Sequence, residues 1–172
     1  MGLQAQIEES FRGCLNQDQI EAIFKIVEIH DRFVYRQFAN NEESKQAWIN
    51  YVETGFTSGD ESQWFLPEKE LKEINKILQK ENLLDIIWHV HDGRYRIDFS
   101  GCYYKCLQKM DNGPWKMTEW MRSSYRNVDA VFTMGLLEWM LDNDYDLNSD
   151  LRIMLCFEWS IHQSIRFKNI NQ

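Results

Sequence analysis

The sequence predicts an α+β domain that is predominantly α-helical, with about five or six helices and a small antiparallel sheet built on a hairpin at 86–99. Three observations carry this reading. Apolar residues recur at helical spacing over most of the chain. Asp92-Gly93 stands between two alternating runs, the strongest short-range signal for a tight hairpin. Only two prolines and eight glycines occur in 172 residues, which leaves little room for a linker, so 1–172 reads as a single compact domain.

Asn16 reads as the N-cap of a helix over about 17–39. On a helical wheel Ile20, Ile23, Phe24, Ile26, Val27, Ile29, Phe33, Val34 and Phe38 cover most of the circumference. Glu21, Lys25, Glu28, Arg32 and Arg36 are confined to one polar strip, so this helix belongs in the middle of the fold. A second helix is expected over about 42–54 with Ala47, Trp48, Tyr51 and Val52 inward, followed by a loop through 54–62. Pro67 sits where a first-turn proline belongs, with Glu68 and Glu70 near the positive end of the helix dipole. Leu71, Ile74, Ile77 and Leu78 then line one face of a surface helix.

With Asp92 and Gly93 as turn residues, Val90 faces Tyr95, Trp88 faces Ile97 and Ile86 faces Phe99 on an apolar side of the ribbon. His91/Arg94, His89/Arg96 and Ile87/Asp98 fall on the other side. Residues 101–107 are read as a third strand and 118–125 as a short helical piece. The stretch from about 128 to 141 is apolar all round but too short to cross a bilayer, so it is read as a buried core helix. A last helix is expected over about 149–168.

The formal net charge is −8, from 27 acidic and 19 basic side chains. Such a surface repels phosphate backbones, which argues against non-specific nucleic-acid binding, and steers a basic protein partner toward it. The first ten residues lack the basic start and apolar run of a secretory signal, and no stretch is long enough for a membrane span. A cytoplasmic location is therefore expected. There Cys14, Cys102, Cys106 and Cys156 would be reduced thiols packed as small hydrophobes. Cys102 and Cys106 are spaced C-x₃-C without a second pair or a nearby His, so zinc is not indicated and no cofactor is expected.

Three groups of residues are candidates for chemistry or recognition. His30 and Asp31 fall on or beside the apolar arc of the 17–39 helix, while Glu158 and His162 lie four apart on an apolar face of the last helix. If those helices pack together, the four converge in a semi-buried cluster where general acid–base chemistry would be sought, although a structural hydrogen-bond network explains the same pattern. His89 and His91 alternate onto one face of a strand near Asp98, as two metal-binding imidazoles would, but Arg94 and Arg96 share that face. Glu138, Asp142, Asp144, Asp146 and Asp150 form the densest run of one sign, with Tyr145 inside it as an aromatic anchor. Asp142-Asn143-Asp144-Tyr145-Asp146 opens like a calcium loop, but Leu147 and Ile153 occupy positions that require Gly and Glu.

The expected function is that of a non-enzymatic, acidic cytosolic binding protein that engages a basic protein partner, of the inhibitor or immunity-protein type. The alternative is a small hydrolase using the His30/Asp31/Glu158/His162 cluster, or a metal on His89 and His91. The sequence leaves the oligomeric state open.

Overall fold

The computed structural model describes residues 3–39, 44–57, 65–91 and 94–110, together with Ile153, Cys156 and Phe157. The described chain is predominantly helical: α1 (Leu3–Phe11), α2 (Gln17–Phe38), α3 (Ser44–Thr57), α4 (Glu68–Lys80), α5 (Leu83–Ile87), β1 (Trp88–His91), β2 (Arg94–Ile97) and α6 (Cys102–Met110). None of the helices among the described residues is long and apolar enough to cross a membrane.

Helix α2 is the centre of the packing, in contact with α1, α3 and α4. Asn16 caps it in a capping box: Asn16 Oδ1 accepts from the Gln19 amide at 2.9 Å, and the Asn16 amide donates to Gln19 Oε1 at 3.1 Å. Two backbone donors that the first turn would otherwise leave without a partner are thus satisfied. Ile20, Ile23, Ile26, Val27, Ile29, Phe33 and Val34 are buried, while Glu21, Lys25, Glu28, Arg32 and Arg36 are exposed. Each fully buried aliphatic or aromatic side chain contributes roughly 1.5–3 kcal/mol, so this broad apolar arc holds α2 inside. At the α2–α3 seam Tyr51 makes edge contacts with Phe33, Phe38 and Trp48. Ala47, Trp48 and Tyr51 point inward, and α3 runs to Thr57, through residues expected to begin a loop.

Helix α1 has no counterpart in the sequence reading. Ile7 and Phe11, four apart on one face, are completely buried, and the helix packs on α2 and α6. It ends at Gly13, whose φ of +82° is left-handed backbone that a Cβ disfavours. The turn is closed by amides of Cys14 and Leu15 donating to the Phe11 carbonyl, both at 3.1 Å.

The strands pair in antiparallel fashion as Trp88↔Ile97, His89↔Arg96, Val90↔Tyr95 and His91↔Arg94, the register that an Asp92-Gly93 turn dictates. Asp92 and Gly93 themselves lie outside the described residues. The ladder gains one further bond, from the Asp98 amide to the Ile87 carbonyl at 3.0 Å. It ends there because Ile86 and Ile87 close α5 and Phe99 enters a turn, so Ile86 and Phe99 do not pair.

Two four-residue strands make a ribbon attached to helices; they do not form a sheet that organises the core, and the α+β reading gives way to a helical one. The expected third strand at 101–107 is α6. Tyr103, Tyr104, Cys106 and Leu107 are all buried, a helical repeat that alternation had imitated over a short window. The segments expected to be helical at 118–125, 128–141 and 149–168 lie outside the described residues, apart from helical Ile153, Cys156 and Phe157. Those three are buried, and Phe157 touches Trp88 and Tyr103.

Candidate functional site

His30 lies on the buried face of α2 at 1% exposure. Its Nδ1 is 3.0 Å from the Ile26 carbonyl oxygen, which can only accept, so Nδ1 carries the proton. Burial lowers its pKa from the ordinary 6.5 to about 4, with the bond to Ile26 opposing that shift. At neutral pH the ring is an uncharged part of the core. Asp31, next along the helix, is half-buried and takes a hydrogen bond from Trp48 Nε1 at 2.7 Å. The pair is therefore divided between two surroundings, His30 in the interior and Asp31 at the α2–α3 seam. Glu158 and His162 lie outside the described residues.

Asp31 also lines an open cleft of about 470 Å³ with Lys25, Glu28, Ile29, Arg32 and Glu73, between α2 and α4. Its charges alternate in sign, so it has no single electrostatic preference. Nearby, Arg36 reaches Glu70 at 3.4 Å, an exposed pair of small energetic weight.

On the ribbon, His89 is exposed and paired with Arg96, and the His91 side chain lies outside the described residues. Asp98 is occupied locally. Its Oδ1 accepts from the Ser100 hydroxyl at 2.6 Å and from the Ser100 amide at 2.9 Å, and its carbonyl accepts from the Gly101 amide at 2.9 Å. These bonds, led by the hydroxyl and assisted by His89, hold the carboxyl below the usual carboxylate range against the opposing effect of burial. Asp98 is thereby used to shape the turn into α6. The partner-binding candidates Glu138, Asp142, Asp144, Tyr145, Asp146 and Asp150 all lie outside the described residues.

The arrangement that sequence reasoning missed is made of sulfur. Cys14, at the turn after α1, and Cys102, at the start of α6, are joined in a disulfide with a Cα–Cα distance of 5.6 Å across 88 residues of sequence. This corrects the expectation of four reduced thiols. Cys106 and Cys156 are buried and lie outside the disulfide. The Sγ atoms of Cys14, Cys102 and Cys106 all lie within 4.8 Å of one another, and theirs is the group with metal-ligand spacing among the described residues. The spacing Cys102-x₃-Cys106 was visible, but in a segment read as a strand; only as part of α6 does it become one helical turn. The place of Cys14 beside them was not visible, because nothing local announces that Gly13 turns the chain toward α6.

No family model, curated protein or solved structure matches this chain in the comparisons made.

Proposed function

We propose that the protein is a non-enzymatic acidic binding protein that engages, and can neutralise, a basic protein partner through the segment around Glu138, Asp142, Asp144, Tyr145, Asp146 and Asp150. One observation carries this reading. From 127 to 151 the chain has six carboxylates and no Lys or Arg, so this stretch holds six negative charges against a net of −8 for the whole. Charge of one sign concentrated in this way steers a partner of opposite sign and raises its association rate. The contrast with the described helices supports the reading. On α2 and α4 acids and bases alternate along the exposed faces, with a Lys72–Glu68 pair and the Arg36–Glu70 pair among them. Tyr145 supplies an aromatic anchor within the acidic run, and Tyr, with Trp and Arg, is one of the residue types in which binding energy concentrates. The chemistry of the partner follows: a Lys/Arg-rich protein surface with an apolar recess for one ring.

The test is kinetic. A partner captured on the immobilised protein is purified, and its association is measured at low and high salt with wild type and with Asp144→Asn/Asp146→Asn. The expected result is slower association of the double variant and a weaker dependence on salt, with an unchanged melting curve, because Asp→Asn removes the charge and keeps the size and shape of the side chain. Equal association rates for both proteins at both salt concentrations overturn the proposal.

A further inference from the structure

The three sulfur atoms differ in exposure as well as in bonding. Cys102 is exposed, Cys14 half-buried and Cys106 buried. Cys106 holds a free thiol with its sulfur no more than 4.8 Å from both atoms of the disulfide. Helix geometry decides which of the two it can join. Cys102 and Cys106 are four apart on α6, where Cβ atoms are about 5–6 Å apart. A disulfide needs Cβ atoms at about 3.5–4.5 Å, so a bridge within α6 is excluded while the helix persists. Cys14, arriving from another element, is the sulfur that either α6 cysteine can reach.

We propose that Cys14, Cys102 and Cys106 form a redox-active thiol–disulfide site in which the bridge to Cys14 passes from Cys102 to Cys106, freeing Cys102 to react with small disulfides of the glutathione class. In the first step the Cys106 thiolate attacks Cys14 Sγ. The Cys14–Cys106 bond forms, the Cys14–Cys102 bond breaks, and the electron pair leaves on Cys102 Sγ. The proton lost by Cys106 passes to solvent, and the number of disulfides is unchanged. In the second step the Cys102 thiolate attacks a small disulfide RSSR, giving Cys102–SR and releasing RS⁻. The oxidising equivalents for this step come from RSSR.

The surroundings suit each role. Cys102 is the first residue of α6, following Gly101, whose carbonyl accepts the Lys105 amide at 3.3 Å. The partial positive charge of a helix N-terminus favours a thiolate over a thiol. Arg12 and Lys105 are exposed, two residues from Cys14 and three from Cys102, and offer two positive charges to an anionic thiol compound beside the one carboxylate of Asp98 at the entry to α6. Burial pushes the Cys106 thiol up, with Lys109 acting in the opposite direction, so the interior sulfur rests protonated until exchange. The stacked rings of Phe11 and Tyr103, with centroids 5.6 Å apart, lock α1 against α6 and keep the sulfurs together.

The oxidised full chain is incubated with oxidised glutathione at mildly alkaline pH, quenched with acid and digested without reduction, and its disulfides are mapped by mass spectrometry. The expected result is glutathione on Cys102 accompanied by a Cys14–Cys106 bridge. Cys106→Ala and Cys106→Ser, checked for folding by circular dichroism, should lose both products and keep Cys14–Cys102. Wild-type protein that holds only Cys14–Cys102 and takes up no glutathione at Cys102 overturns the proposal, and this arm does not depend on how either variant folds. Glutathione uptake at Cys102 at the wild-type rate in a folded Cys106 variant also overturns it. So does reduced protein that binds one zinc ion through all three thiols and forms no bridge when exposed to oxidised glutathione.

Discussion

Trp48 Nε1 donates to Asp31 Oδ1 at 2.7 Å, tying α3 to α2 through a carboxylate that sits one residue beyond a buried histidine. Trp48 is 2% exposed, so water cannot readily replace a lost acceptor. A hydrogen bond to a charged group is worth about 1.5–3 kcal/mol, and a buried donor left without one carries a similar penalty.

Asp31→Ala should therefore destabilise the protein by about 2 kcal/mol in urea unfolding, whereas Asp31→Asn, which retains an acceptor, should lose less. Trp48→Phe combined with Asp31→Ala should cost less than the sum of the two changes, because the two side chains interact directly. Additive losses would show that the 2.7 Å contact contributes nothing of its own.

The neutral, buried His30 makes stability depend on pH. Its folded pKa is depressed from 6.5 to about 4, so between those values the unfolded chain binds a proton that the folded chain refuses. Its contribution is complete above about pH 6.5 and is lost as the pH falls toward 4, by on the order of 3 kcal/mol. The slope of stability against pH in this window should flatten in His30→Gln. In NMR titration, one of the four histidines should not titrate through pH 6.5; four ordinary curves would contradict the buried placement.

Asn16→Ala removes the acceptor of the capping box and should cost about 1 kcal/mol. Gln19→Ala leaves the Asn16 side-chain cap in place but gives up both the bond from the Asn16 amide and the donation of Gln19 Nε2 to the Glu81 carbonyl at 3.3 Å, so it too should destabilise the protein. Equal stability of Asn16→Ala and wild type by thermal melting would remove the cap as a stabilising element.

Gly101 faces a crowded turn. A Cβ there would lie 2.9 Å from Asp98 Oδ2 and 3.1 Å from both Asp98 Cγ and the Asp98 carbonyl oxygen. Gly101→Ala should displace Asp98, loosen its bonds to Ser100 and destabilise the entry to α6 by about 1–3 kcal/mol. Unfolding midpoints identical to wild type would mean that the turn yields without cost.

Those elements whose information is local could be read from the residues alone. The Asn16 cap, the broad apolar arc of α2, the apolar face of α4 and the strand register around Asp92-Gly93 follow from side-chain periodicity and turn chemistry over a few consecutive residues. The same local rules misread 101–107 as a strand, since a seven-residue window alternates almost as well as it repeats every fourth position. They gave α1 no weight, because two apolar residues one turn apart mean little until α2 and α6 bury them. The chemistry of His30 depended on how completely α2 was enclosed, which separates a neutral core imidazole from a titrating one. Only tertiary structure could bring Cys14 to Cys102 and Cys106. Eighty-eight residues separate the bonded pair, and the sulfurs meet because a left-handed Gly13 turns the chain back against α6 and because Phe11 and Tyr103 pack face to face beside them. Proximity across that length of chain is a property of packing, and no residue spacing records it.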